Sequence, residues 1–205
     1  MTIFMFKIIC VTDRKSCKED FLTRIEKIVS AKPDRILFRD KDLNYDDYLK
    51  TAFKILEISD RYGVPCSMYR NPEIFGNIHM TMPLLEHIRL EDMNFIKLVG
   101  TSVHSVEEAV EAENKGVDYI IAGHIFETDC KKGLAPRGTD FLHEVCKNVK
   151  IPVYAIGGIN PENIGQVVRT GADGACIMSG FMICENPSEY INNLRKGAET
   201  NEFQG

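Results

Sequence analysis

The chain of 205 residues contains no tryptophan. No apolar run approaches the roughly 20 residues that cross a bilayer, so a membrane-spanning reading is set aside. The apolar start, MTIFMFKIICVTD, has no basic stretch before it and no small-residue cleavage site, and it reads as a first strand instead of a signal peptide. The seven cysteines, Cys10, Cys17, Cys66, Cys130, Cys146, Cys176 and Cys184, form no Cys-x-x-Cys pair and are odd in number. Neither a disulfide framework nor a thiolate zinc site is indicated, and reduced thiols in a cytoplasmic protein are the simplest reading. Positive charge is also short: 25 Lys and Arg face 30 Asp and Glu, a net of −5. A basic field for nucleic acid is excluded on that balance. What is present is a globular composition, 44% apolar and 27% charged, long enough for one sizeable core.

The apolar pattern alternates strand with helix. Runs at 6–12, 36–38, 65–69 and, more weakly, 77–80 are strands, followed by 95–102, 118–123, 151–158 and 174–180. Helical spacing recurs between them. Phe21, Leu22, Ile25, Ile28 and Val29 lie on one face of a helix spanning Lys18 to Ala31. Asn44 caps the next helix and Gly63 ends it, while Ser105 and Glu108 form a capping-box signature before a helix closed by Gly116. Asn160-Pro161 predicts a helix start, and a last helix begins near Pro187. Eight units leave about 26 residues each, a lean single-domain (β/α)8 TIM barrel of the α/β class. An open doubly wound sheet is the alternative, but no GxGxxG follows the first strand. The compressed region is 65–95. The expected domain is 1–196, with 197–205 as a polar tail.

A barrel of this kind places its site in the loops after the strands. Gly157 and Gly158 follow the seventh strand, and Ser179 and Gly180 follow the eighth, a pattern suited to backbone N–H groups meeting a phosphate. The same glycines would also serve a tight turn. His124 ends the sixth strand, where it is a candidate acid or base or a structural histidine. It opens a polar loop containing Lys131. Arg39 and Lys41 alternate after the second strand, aimed at an anion or else paired with Asp40 and Asp42.

Taken together, CVTD (10–13), FRDK (38–41), GTSVHSVEEAVEAENKGVDYIIAGHIFET (100–128), AIGGINPEN (155–163) and GADGACIMSG (171–180) resemble the thiamin phosphate synthase superfamily. Its synthase branch joins a pyrimidine diphosphate to a thiazole phosphate with magnesium. Its other branch resembles TenI-type thiazole tautomerases, which aromatise a carboxythiazole phosphate without metal or cofactor. The run GHIFETDCKKG resembles the tautomerase loop, where synthases usually have Gly-Pro in place of Gly123-His124. Asn71-Pro72 and the segment 79–83 also lack the aspartates that synthases use for magnesium, and Leu37 replaces a usual glutamine.

The resemblance therefore implies a tautomerase, an isomerase with His124 as the acid/base. Gly158, Ser179 and Gly180 would hold the phosphate, and Arg39, Lys41 and Lys131 would neutralise the carboxylate. Ser102 is a further candidate for a hydrogen bond to the thiazole phosphate carboxylate. A synthase and a non-catalytic phosphate-binding regulator are the alternatives. A homodimer is compatible with the resemblance, although no apolar surface stripe marks an interface.

Overall fold

The computed structural model describes residues 5–69, 74–90 and 95–202. Eight parallel strands close in chain order: β1 (Lys7–Val11), β2 (Arg35–Phe38), β3 (Cys66–Tyr69), β4 (Asn77–Met80), β5 (Leu98–Val103), β6 (Tyr119–Gly123), β7 (Val153–Ile156) and β8 (Gly174–Ile177), with β8 paired back onto β1. This is the TIM barrel expected from the alternation. The helices are α1 (Phe21–Ser30), α2 (Tyr45–Tyr62), α3 (Met82–Glu86), α4 (Val106–Asn114), α5 (Gly138–Asn148), α6 (Ile164–Val168), α7 (Ser179–Ile183) and α8 (Pro187–Glu202).

Strand parity divides the apolar residues into two cores. Ile8, Cys10, Ile36, Phe38, Ile78, Ile120 and Ala155 point outward and pack against the helices. Ile9, Val11, Leu37, Tyr119, Ile121 and Cys176 point inward and fill the barrel. Because both faces of the sheet are covered, the strands read as near-continuous apolar runs.

One device recurs at the lower end of the barrel. Asp34, Asp118 and Asp173 each stand just before an even-numbered strand. Their carboxylates accept the N–H of Ile8, Val99 and Val153 at 2.9, 2.6 and 2.7 Å. Each therefore ties the strand it precedes to its predecessor, satisfying an N–H at the strand entrance.

Several predicted boundaries shift for local reasons. α1 starts at Phe21 because the Asp20 side chain accepts the Thr23 N–H, three residues after the expected Lys18. Asn160 accepts the N–H groups of Glu162 and Asn163 at 3.0 Å and builds a turn, so α6 begins only at Ile164. Asn44 and the left-handed Gly63 cap α2 as expected. The Ser105 hydroxyl accepts the Glu108 N–H, whereas the Glu108 carboxylate reaches back one residue further than a capping box, to His104 N–H at 2.6 Å.

The boundary at 196 is also corrected. α8 continues to Glu202, Ala198 is buried, and a Cβ on Gly197 would stand 2.5 Å from the Pro161 carbonyl. A tail polar in composition still packs, because its small residues face the α6 region. The lean region behaves as expected: α3 has five residues, and 74–76 carry no helix between β3 and β4.

Gly100 explains how Tyr119 fits inside the barrel. Gly100 and Tyr119 are register partners on β5 and β6, and a Cβ on Gly100 would lie 2.0 Å from the Tyr119 ring. Gly100→Ala should therefore cost about 2–3 kcal/mol, the upper range for overpacking a filled core. Urea unfolding checks this: an unchanged midpoint would show that the ring can move aside.

Candidate functional site

The ends of the strands open onto one cavity of about 590 Å³, within the usual range for a small-molecule site. Its wall includes Arg39, Lys41, Ser102, His124, Lys131, Gly157, Gly158 and Ser179. Eight of the nine sequence candidates are thereby brought together. Gly180 is the exception: it lies in the first turn of α7, where a Cβ would come 2.0 Å from the Tyr190 hydroxyl, and its lack of a side chain serves packing against α8.

The charge arrangement at β2 is decided by its neighbours. Asp40 is taken by Arg14 at 2.8 Å and Asp42 by Lys15 at 2.8 Å. Arg39 and Lys41 therefore do not pair with these acids, and instead lie 5.5 and 5.6 Å from the centre of the Tyr69 ring. Tyr69 is fixed in turn, since its carbonyl accepts the Tyr48 hydroxyl at 2.7 Å. Lys131 comes to the same region from the short 3-10 turn Asp129–Lys131. Burial lowers its pKa from the usual lysine range, and the charges of Arg137, Arg39 and Lys41 lower it further. Cations crowded in this way are stabilised by an anion.

His124 is buried at the end of β6. Its Nε2 lies 3.3 Å from the Leu134 carbonyl, which can only accept, so the ring proton sits on Nε2. Nδ1 is buried, with no hydrogen-bond partner among the described residues. The glycines after β7 make this packing possible. A Cβ on Gly157 would lie 2.4 Å from His124 Cβ, and one on Gly158 would lie 2.3 Å from the Glu127 carbonyl. Both have positive φ, 106° and 66°. The loop after β6 thus needs both glycines whether or not they also meet a phosphate. Asn163 secures the turn by donating to the Gly158 carbonyl at 2.8 Å.

His79, given little weight in the sequence because its strand is weak, is a wall residue of this cavity. Its Nε2 lies 2.9 Å from Ser102 Oγ and its Nδ1 lies 3.2 Å from the Tyr119 hydroxyl. Burial pushes its pKa down to about 3, with the Arg39 charge acting in the same direction. The signal in the sequence was its place at the end of NIHM, inward by parity with Asn77. His104 lies at the cavity edge, its Nδ1 donating to the Gly123 carbonyl at 2.9 Å. His143 donates to the Thr170 carbonyl at 3.2 Å, away from the cavity wall.

The magnesium implied by the synthase resemblance does not fit the donors described. Glu108 is the one carboxylate among the described wall residues, and it is held by the His104 N–H. No group of three His, Cys, Asp or Glu residues suited to a metal occurs among the described residues. Arg70, Asn71 and Pro72 lie outside the described residues.

Comparison with known proteins sets these features in a family. The family description "Thiamine monophosphate synthase" matches residues 8–181. A thiamine-phosphate synthase of Clostridium acetobutylicum is 33% identical over 186 residues, covering 86% of this chain and 87% of its own. One from Fusobacterium nucleatum is 31% identical over 199 residues, covering 93% and 96%. The solved thiamine phosphate pyrophosphorylase of Pyrococcus furiosus superposes with a TM-score of 0.81 at 27% identity, covering 96% of each chain. These findings overturn the tautomerase reading and its isomerase class, because the relatives are named synthases. The loop sequence GHIFETDCKKG, on which that reading leaned, is one local segment, whereas the likeness to the synthases extends over most of the chain. The chain belongs to the thiamine monophosphate synthase family.

Proposed function

We propose that this protein is a thiamine-phosphate synthase, joining a pyrimidine diphosphate to a thiazole phosphate. The observation that carries the reading is one cavity lined both by the cations Arg39, Lys41 and Lys131 and by the β7 and β8 turns. That layout suits two anionic substrates better than one. Arg39, Lys41 and Lys131 would receive the diphosphate. Gly157, Gly158 and Ser179 would offer backbone N–H groups to the monophosphate. His124 Nδ1 would accept a hydrogen bond from a substrate N–H, satisfying its buried lone pair.

The chemistry asks little more of the side chains. As the pyrimidine is joined to the thiazole, its bond to the diphosphate breaks and the diphosphate leaves with the electron pair. Negative charge grows on the leaving group, and cations already fixed around it stabilise the transition state more than the ground state. No step is assigned to a metal held by the protein. The absence of a carboxylate cluster among the described residues supports a second reading, a regulator that binds the phosphates without joining them.

Purified protein given both substrates, with magnesium chloride in the buffer, is expected to form thiamine phosphate and release pyrophosphate. Binding of the thiazole phosphate with no product would replace the synthase reading with the regulator. Arg39→Gln should weaken pyrophosphate binding about 10- to 100-fold by calorimetry, the scale of one charge-assisted hydrogen bond. Unchanged affinity would remove Arg39 from the site. Lys131 is charged only below its lowered pKa, so pyrophosphate affinity should fall with rising pH before ordinary lysines titrate. Lys131→Gln should flatten that part of the profile, and an identical profile in the variant would contradict the assignment.

A further inference from the structure

The cations Arg39 and Lys41 are carried on a stretch of chain, 39–43, that is neither strand nor helix. Its backbone is nevertheless tied down, and always from the side of β1. Thr12, fully buried just after β1, holds the first residue. Its hydroxyl accepts the Arg39 N–H at 3.0 Å and donates to the Arg39 carbonyl at 3.4 Å. Asp40 holds the rest, with a side chain only 5% exposed. Its Oδ2 accepts Arg14 Nε at 2.8 Å, and its Oδ1 accepts the N–H of Asp42 at 3.0 Å and of Leu43 at 3.2 Å. Arg39 and Lys41 lie beside the Tyr69 ring at the cavity.

We propose that Thr12 and Asp40 are positioning residues: together they fix the 39–43 backbone so that Arg39 and Lys41 stand side by side at the cavity before an anion arrives. That the anion is the substrate diphosphate rests on the function proposed above, whereas the hold on the backbone does not. Two cations beside one ring repel each other, and each long side chain loses rotamer freedom when it is held. On a free loop they would spread apart, and gathering them again would be subtracted from binding. The Thr12 hydroxyl uses its hydrogen and a lone pair on the two peptide groups of one residue, which fixes the chain on both sides of Arg39. The Asp40 bonds are charge-assisted and buried, so they hold more strongly than neutral ones. The Lys15–Asp42 pair is exposed on both sides and adds little.

Charge alone makes the opposite prediction. Asp40 is an acid close to an anion site, and its removal also frees the positive charge of Arg14. On Coulomb grounds a variant without it binds an anion more tightly. Arg14 is partly exposed, however, and water and salt screen its field. Losing three hydrogen bonds releases the chain that carries both cations, and that effect prevails. The two accounts therefore differ in sign.

The test titrates pyrophosphate and thiazole phosphate separately into the full chain by calorimetry. Asp40→Ala is expected to weaken pyrophosphate binding about tenfold, the scale of one hydrogen bond, and to leave thiazole phosphate unchanged. Unchanged or tighter pyrophosphate binding would overturn the role of Asp40, and so would an equal loss for both ligands. Thr12→Val keeps the side-chain shape without the hydroxyl and should weaken pyrophosphate to a similar degree. Thr12→Ser should restore it, and a loss that serine does not restore would overturn the role of the hydroxyl.

A second arm needs no ligand. Amide hydrogen exchange by NMR should show the Asp42 and Leu43 N–H groups protected in the unaltered chain and about tenfold faster in Asp40→Ala, with β5 to β8 unchanged. Arg39 N–H should respond in the same way to Thr12→Val. Unchanged exchange at these positions would overturn the hold on the backbone. If Asp40→Ala unfolds throughout, Thr12→Val decides alone. No pyrophosphate binding by the unaltered chain would count against the diphosphate reading, and the exchange arm would still decide the hold.

Discussion

Eight strands of four to six residues enclose a space that side chains must fill, so the size of each inward residue is set by its inward neighbours. The pair Gly100 and Tyr119 is where this constraint is tightest. β5 gives up a side chain so that β6 can place a tyrosine inside the barrel. The tyrosine hydroxyl then lies 3.2 Å from His79 Nδ1. An apolar barrel would be simpler to pack. A polar group inside one is tolerable only if it is satisfied, and His79 meets Tyr119 on one ring nitrogen and Ser102 on the other.

The mouth follows a different logic, one of withheld partners. Arg14 and Lys15 take Asp40 and Asp42, and Arg39 and Lys41 are left beside Tyr69 at the cavity. Lys131 is brought near them by a separate loop, and burial, with the neighbouring positive charges acting in the same direction, lowers its pKa. Concentrating cations costs stability that an anionic ligand restores. The net charge of −5 hides this, because a sum of charges does not record which of them are already paired.

The eight strands were legible because both faces of each are apolar, and even the weak NIHM run at 77–80 proved to be β4. Arg39, Lys41 and His124 were legible because strand ends in a barrel point one way. What the sequence hid was three-dimensional. Nothing local distinguishes Gly100 from a strand glycine, or shows that Gly180 faces Tyr190 and not the cavity. His79 looked minor because its importance lies in contacts with residues 23 and 40 positions away. The choice of branch went wrong for a related reason: one loop and the missing aspartates were weighed above the similarity of the whole chain to synthases. The helical end of α8 was missed because a polar composition was taken for a tail outside the domain, whereas Gly197 and Ala198 pack.

The central claim is that one cavity receives two anions at two different places on its wall. A crystal structure with the thiazole phosphate and pyrophosphate bound together tests it most directly. The account predicts the monophosphate at the turns of Gly157, Gly158 and Ser179, with pyrophosphate against Arg39, Lys41 and Lys131. Both anions at the same place, or the monophosphate on the lysines and arginine, would contradict it.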